Sequence, residues 1–358
     1  MKPAEKDDFF KEGKSLDKSG MFIVETANQR IARAKELPNP RQMVGNFWKE
    51  SELMVLFAYT GTGKTMFAMQ IARAISEGKS VFNELPNECE AKKVLFYDAE
   101  LSDKQFQNRS SSNYKNEYQY SDNYFYATID REYNLKKGES FSESIIPLLE
   151  SMVVNNEIEV LIIDNLHCLQ ESLENSKDAK PLMDSLVGIK RRYNVSLMIV
   201  GHTPKQTLFK EMDLKDLQGS AALSVQLDTC VAIGNSIIND KTKYFKEVKM
   251  RDGMYLFGRD NVITVELQEM GNLTEFKFID TESEINHLEE VDANKIIDTV
   301  LELRKDGNTI REIKEKTGIS RGKVHNIVQA HKDVDKVVQN DKTDKVDKMD
   351  KQTTLYGT

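Results

Sequence analysis

The densest chemistry in the chain lies in the eight residues AYTGTGKT (58–65). They match the pattern GxxxxGK[ST], except that Ala58 stands where the first glycine is usual. Gly61 and Gly63 let the backbone turn inward, so that consecutive N–H groups point at phosphate oxygens. The cradle so formed comprises Thr60, Gly61, Thr62, Gly63, Lys64 and Thr65. Within it, Lys64 supplies a cation for the β and γ phosphates and the Thr65 hydroxyl a ligand for Mg²⁺. The run that follows, MFAMQIARAISEG, reads as a helix whose positive dipole end meets the same anion. A glycine turn that merely joins a strand to a helix is the bland alternative. Strand, loop, lysine and helix in this order favour nucleoside triphosphate binding, and Ala58 sits at the strand exit rather than in the cradle.

Such a loop needs a second acid for the metal, usually at the end of a buried strand. The run IEVLIIDNL supplies Asp164 in that position, although an Asp capping a turn after a strand is common. Hydrolysis also needs a base to orient and activate water. The segment KKVLFYDAELSDKQ offers two acids, Asp98 and Glu100, and periodicity alone does not choose between them. In a parallel sheet, adjacent strand ends meet at one rim, which brings either acid near the γ-phosphate.

The elements that must position these groups can be read from the apolar pattern. Strand-like runs at 53–58, 93–98, 160–164 and 195–200 alternate with helical stretches at 64–77, from about Ser102, and around 180–192. Alternation of this kind predicts an α/β fold with a mainly parallel sheet flanked by helices on both faces. Short β-rich runs between 227 and 279 have no obvious intervening helices and predict an antiparallel extension of that sheet. Before the sheet, Val24, Ala27, Ile31 and Ala34 recur at helical spacing until Pro38 and Pro40 end the pattern.

Length and composition set the outer limits. With 358 residues, 39% hydrophobic and 30% charged, the chain fits one large domain and a small one. A net charge of -8 argues against a protein that coats nucleic acid or membrane wholesale, so any nucleic-acid surface is a local patch or an assembled pore. Cys89, Cys168 and Cys230 form no CxxC pair, which points away from zinc or a disulfide framework and toward a reducing cytoplasm. The N-terminus is too polar for a signal peptide, and no apolar run approaches a membrane span.

Taken together, AYTGTGKT, FYDAEL, LIIDNL and IVGHTPK resemble, in this order, the RecA-like ATPases, and most closely the plasmid RepA and DnaB-type hexameric helicase branch. The resemblance covers roughly residues 44–270 and implies ATP and Mg²⁺ as cofactors. It places the catalytic base on Glu100 of the DAE string rather than on Asp98. It makes His202 a polar γ-phosphate sensor or a link to DNA-binding loops, with Lys205 and Lys210 of the following loop as candidate DNA contacts. In KEVKMRDG (246–253), Lys249 and Arg251 are two apart and share a face near a hairpin tip, which alone reads as a solvated face. By resemblance they match a K-x-R pair that reaches the neighbouring subunit's γ-phosphate, so a homo-oligomer, most simply a hexameric ring, is implied. The LQGSAA stretch (217–222) also fits the family's pattern.

The remaining chain divides in two. DTESEINHLEEVD (280–292) is acidic and linker-like. Residues 293–332 then carry a three-helix pattern, with nine Lys or Arg against five Asp or Glu, a net +4 on an acidic chain. Within it, Thr309 caps a helix carrying Ile310 and Ile313, Gly318 allows a tight turn, and Ser320 caps a helix carrying Val324 and Ile327. The spacing resembles a helix-turn-helix, apart from Lys314 where a small residue is usual. Arg321, Lys323, His325 and Asn326 fall on the early, exposed part of its second helix, where bases and phosphates are met. A protein-interaction module is the alternative.

The expected domains are therefore an arm and helix (1–43), a RecA-like ATPase domain (44–280), a linker (281–292), a helix-turn-helix (293–332) and a charged, disordered tail (333–358). The tail carries the repeat DKT-DKV-DKM-DKQ. Function is expected to be ATP hydrolysis coupled to DNA, as a helicase or translocase of plasmid or mobile-element replication. Single strands would pass the ring, duplex would meet the C-terminal module, and no membrane would be involved. The alternatives are an ATP-switched DNA-binding regulator without unwinding and a recombinase-like filament.

Overall fold

The computed structural model describes residues 23–130, 141–165, 176–203, 209–217, 225–288 and 293–317, with Arg321, Val324, His325, Ile327, Val328, Gln329 and His331. Most of the N-terminal arm, Lys205, nearly all of the LQGSAA stretch, Lys323, Asn326 and the charged tail lie outside the described residues. The chain forms two compact units, 1–288 and 289–358.

The larger unit is built on one nine-stranded sheet. Its strands are β3 (Leu53–Ala58), β4 (Val94–Asp98), β5 (Tyr124–Ala127), β6 (Val160–Asp164), β7 (Ser196–His202), β8 (Thr229–Asn235), β9 (Thr242–Met250), β10 (Val262–Met270) and β11 (Leu273–Glu282). A separate small ribbon, β1 (Gln42–Val44) with β2 (Trp48–Lys49), precedes them. The spatial order is β11-β10-β9-β8-β3-β7-β6-β4-β5. From β5 to β8 all pairs are parallel, and from β8 to β11 all are antiparallel. This is the RecA-like arrangement, with the antiparallel extension expected of the 227–279 runs.

The central strands read as unbroken apolar runs because both faces of the sheet are covered. On one face Met54, Leu56, Phe96, Ile162 and Met198 meet α2 (Lys64–Ser76), whose Phe67, Ala68, Ile71, Ala72 and Ile75 are all buried. On the other face Val55, Phe57, Leu95, Ile163 and Ile199 meet α4 (Phe141–Asn155) and α5 (Ser176–Tyr193). The period-2 alternation of strand side chains thus splits one run of residues between two cores. A short α3 (Asp103–Arg109) follows β4 and is started by a Ser102/Gln105 capping box.

Three expectations need correction. The helix expected from Val24 up to Pro38 is α1 (Ala27–Lys35), which starts at a Thr26/Gln29 capping box and buries none of its residues. The acidic segment expected as a linker from 281 belongs largely to the first unit. There β11 runs to Glu282, and a single 3₁₀ turn at Glu284–His287 buries both end residues completely. Burial is tolerated because Glu284 is fully partnered, accepting from Met212 N–H (3.0 Å), Tyr244 O–H (3.0 Å) and Lys246 Nζ (2.5 Å). His287 is held between Thr264 Oγ1 (3.0 Å) and Ser236 Oγ (2.9 Å). At the other end, Met43 in β1 is already fully buried, so the unit begins before residue 44.

The second unit contains α6 (Ala293–Lys305), α7 (Ile310–Thr317) and further helical residues from Arg321. Val300, Ile313, Val324 and Val328 form its small apolar core. Thr309 caps α7 as expected, in a reciprocal box with Glu312. Lys314 is exposed.

Candidate functional site

The strand registers bring the chemistry to one rim. Ala58 at the end of β3 pairs with His202 at the end of β7, and Asp98 at the end of β4 pairs with Asp164 at the end of β6. These are the carboxyl ends of parallel strands, where crevices open in such sheets.

The loop from β3 to α2 turns at Gly61 (φ +79°) and at Gly63 (φ +99°), the residue before the helix. Gly63 is required twice over: a Cβ there would also lie 2.6 Å from the ring of Phe276. Phe276 belongs to β11, far away in sequence, and is pinned to α2. Gln70 accepts from its N–H (3.0 Å) and donates to its carbonyl (2.9 Å), while Arg73 grips neighbouring Glu275 with Nε (2.8 Å) and Nη2 (2.9 Å). Inside the loop, Thr62 Oγ1 donates to the Tyr59 carbonyl (2.9 Å), which steadies the turn. Thr60 and Gly61 stand exposed at its crest.

Lys64 is buried, and its ammonium donates to the carbonyls of Ala58 (3.2 Å) and Tyr59 (3.0 Å). Burial pushes its pKa down, opposed by the nearby charges of Asp164 and Glu100. Those two acids therefore share one electrostatic cluster with the lysine.

Asp164 is 3% exposed, and burial is the main reason that its pKa is pushed up to about 6. Thr65 donates a hydrogen bond that works against this, while Asp98 and Glu100 add to it. Its Oδ2 is buried without a hydrogen-bond partner. A buried carboxylate oxygen left unsatisfied beside a threonine hydroxyl is a donor set suited to a hard divalent cation such as Mg²⁺. Among the described residues no cluster of three His, Cys, Asp or Glu could hold a metal.

The two candidate bases separate cleanly. Asp98 is buried and fully engaged: its Oδ1 accepts from the backbone N–H of Glu100 (2.7 Å) and Leu101 (3.1 Å), and its Oδ2 from the Tyr126 hydroxyl. Burial and that acidic partner push the Tyr126 pKa upward. Asp98 thus shapes the turn that presents Glu100, whose side chain is exposed at the rim. Glu100 Oε1 accepts from Asn165 Nδ2, and that same nitrogen lies 2.8 Å from His202 Nε2. Asn165 and Tyr126 did not stand out in the sequence. A polar residue directly after Asp164 in LIIDNL is the only signal that could have marked Asn165.

Lys249 and Arg251 lie elsewhere. Lys249 pairs with Cys230 near the start of β8, whose Thr229 pairs with Met54 at the start of β3. The pair therefore lies toward the opposite rim: at about 3.3 Å per strand residue Lys249 is ~10 Å along the strands from the Ala58 end that leads into its own phosphate loop, and Arg251 lies farther out. Arg251 lies just beyond β9, its Nη1 on Asp228 (3.0 Å) and its Nη2 on the Val225 carbonyl (2.6 Å). Burial lowers the Lys249 pKa, and the Arg251 charge lowers it further. Lys210 is exposed. In the C-terminal unit Arg321 and His325 are exposed. Among the described residues no helix is long and apolar enough to cross a membrane.

Comparison with known proteins gives three results. No curated protein matches the sequence. Among solved structures, a KaiC-like protein from the hyperthermophilic archaeon Pyrococcus horikoshii OT3 is similar over 66% of this chain and 99% of that one, at 15% identity and a TM-score of 0.47. Residues 24–207, just over half the chain and spanning the phosphate loop, Glu100, Asp164 and His202, match the AAA domain family of ATPases, and the chain belongs to that family.

Proposed function

We propose that this ATPase assembles with copies of itself and couples ATP hydrolysis to movement on DNA, as a helicase or translocase of the RepA and DnaB type. The observation that carries the reading is the split of the expected machinery between two rims. Lys64, Thr65, Asp164, Glu100 and His202 gather at the carboxyl rim, whereas Lys249 and Arg251 stand at the other. Within one chain the pair cannot touch the γ-phosphate, but an adjoining copy could present it. The unburied helix α1 fits the same picture. Ile31 (55% exposed), with the exposed Ala27 and Ala34 about one turn to either side, leaves a small apolar stripe there that a neighbouring copy would cover.

In the proposed reaction, the loop N–H groups and Lys64 hold the β and γ phosphates. Thr65 and Asp164 would hold Mg²⁺, which would screen the phosphate charge. Glu100 takes a proton from the attacking water as a bond forms between water oxygen and the γ-phosphorus. The bond to the β-phosphate oxygen breaks, and ADP and phosphate leave. His202 senses the γ-phosphate, and Arg251 with Lys249 of the neighbouring copy stabilises the charge that develops.

The exposed Arg321 and His325 on a three-helix unit favour a second reading, an ATP-switched regulator that binds duplex without unwinding it. A recombinase-like filament is the third. ATP turnover measured across protein concentrations, with and without single-stranded DNA, tests the first reading. A steep concentration dependence and stimulation by DNA are expected, together with ATP-dependent strand displacement. Duplex-specific binding gated by ATP without displacement would favour the second reading, and filaments in electron micrographs the third.

A further inference from the structure

The candidate base and the candidate sensor converge on a single buried amide. Asn165, 1% exposed, follows Asp164 directly, and its Nδ2 faces both Glu100 Oε1 and His202 Nε2. The orientation of that amide is dictated by chemistry. An ionised carboxylate can only accept, so the NH₂ end must face Glu100. A primary amide carries two hydrogens, one for each partner. The second can bond to His202 only if Nε2 presents a lone pair, which requires a neutral ring protonated at Nδ1.

We infer that Asn165 is a positioning residue that holds Glu100 through one N–H and makes its placement depend on His202 through the other. The inference rests on Glu100 acting as the base in the reading above. A His202 ring that comes to carry its proton on Nε2, as it does when that nitrogen turns to donate to a phosphate oxygen, can no longer accept from Asn165. The amide then has two choices. It gives up the His202 bond, or it turns its oxygen toward Nε2–H and so confronts the Glu100 carboxylate with a second acceptor. In both cases the hold on Glu100 changes when the sensor is engaged. The strand carrying the sensor is thereby connected to the base with no displacement of the sheet.

The test measures ATP turnover, and binding of a fluorescent ADP analogue, in the full-length chain. Asn165→Leu removes both donors at similar volume, and Asn165→Asp replaces the NH₂ group by oxygen. Each is expected to lower kcat about tenfold or more, within the range for a misplaced general base, while KM and ADP binding stay within about twofold. Asn165→Leu combined with His202→Leu should lose less than the product of the two single losses, because the link between them is counted in both. A kcat within twofold of wild type in both Asn165 variants, or a double variant whose loss is the product of the singles, would overturn the inference. If Glu100→Gln itself turns over at the wild-type rate, the assignment of the base fails instead. Ring ¹⁵N signals of His202 in the unaltered, nucleotide-free protein, assigned by their loss in His202→Gln, give an independent readout. The Nδ1–H tautomer is expected, and the Nε2–H tautomer would refute the link even if the Asn165 variants did not fold.

Discussion

Replacing Gly63 with alanine should destabilise the protein by two separable amounts. The first belongs to the backbone: at φ +99° an L residue costs about 1–2 kcal/mol. The second belongs to Phe276, whose ring would lie 2.6 Å from the new Cβ. That ring has little room to retreat, being 1% exposed, set against the rings of Phe67 (6.1 Å) and Phe245 (5.4 Å), and tied to Gln70 through its backbone. Overpacking of this kind costs about 1–3 kcal/mol, for a total of about 2–5 kcal/mol, a large fraction of a typical domain's stability. Urea unfolding followed by the fluorescence of the single, buried Trp48 would compare wild type, Gly63→Ala, Phe276→Ala and the double variant. Phe276→Ala alone should cost about 3–5 kcal/mol. In the double variant the steric part vanishes while the backbone part remains, so the two losses should sum to about 1–3 kcal/mol too much. Additivity within about 0.5 kcal/mol would mean that the ring does not bear on the loop, and would refute the reasoning.

Other expectations follow from the same geometry. Asp164 has its folded pKa raised to about 6 from 3.8, so the native state takes up a proton in that window. Stability of the nucleotide-free protein should therefore fall as pH rises from about 4 to 6 and stay lower above it. Asp164→Asn should flatten this profile and raise the melting temperature at pH 7.5 while abolishing Mg²⁺-dependent turnover; an unchanged profile would contradict the burial argument. Arg251→Ala should lose most turnover with nucleotide binding intact, and mixing it with Glu100→Gln subunits should restore activity at interfaces that combine an intact base with an intact arginine. Absence of restoration would remove the case for a shared site.

Much of the site was legible in the sequence because its parts are local. The runs 53–58 and 160–164 are strands to the residue, since an apolar stretch closed by a glycine loop or an acid leaves little freedom at either end. The strand β5 and helix α4 were not read. The first is a four-residue edge strand of half-buried aromatics, and the second carries Pro147 inside it, which in a sequence reads as a break. The acidic stretch around Glu284 reads as a linker because its partners, Met212, Tyr244 and Lys246, are distant in sequence. Separation also hid Asn165, whose partners lie 65 and 37 residues away, and Phe276, which meets Gly63 only once β11 has docked on α2. Periodicity did not choose between Asp98 and Glu100; the resemblance favoured Glu100, and the hydrogen bonds that occupy Asp98 agree with it.

The central claim is that this chain turns over ATP with Glu100 as the base beside Lys64 and Asp164. ATP binding and steady-state hydrolysis, measured side by side in wild type and Glu100→Gln, test it most directly. The variant should bind ATP with Mg²⁺ as tightly as wild type and hydrolyse it about 10²–10⁴-fold more slowly, the range for loss of a general base. Undiminished turnover in Glu100→Gln would contradict the account.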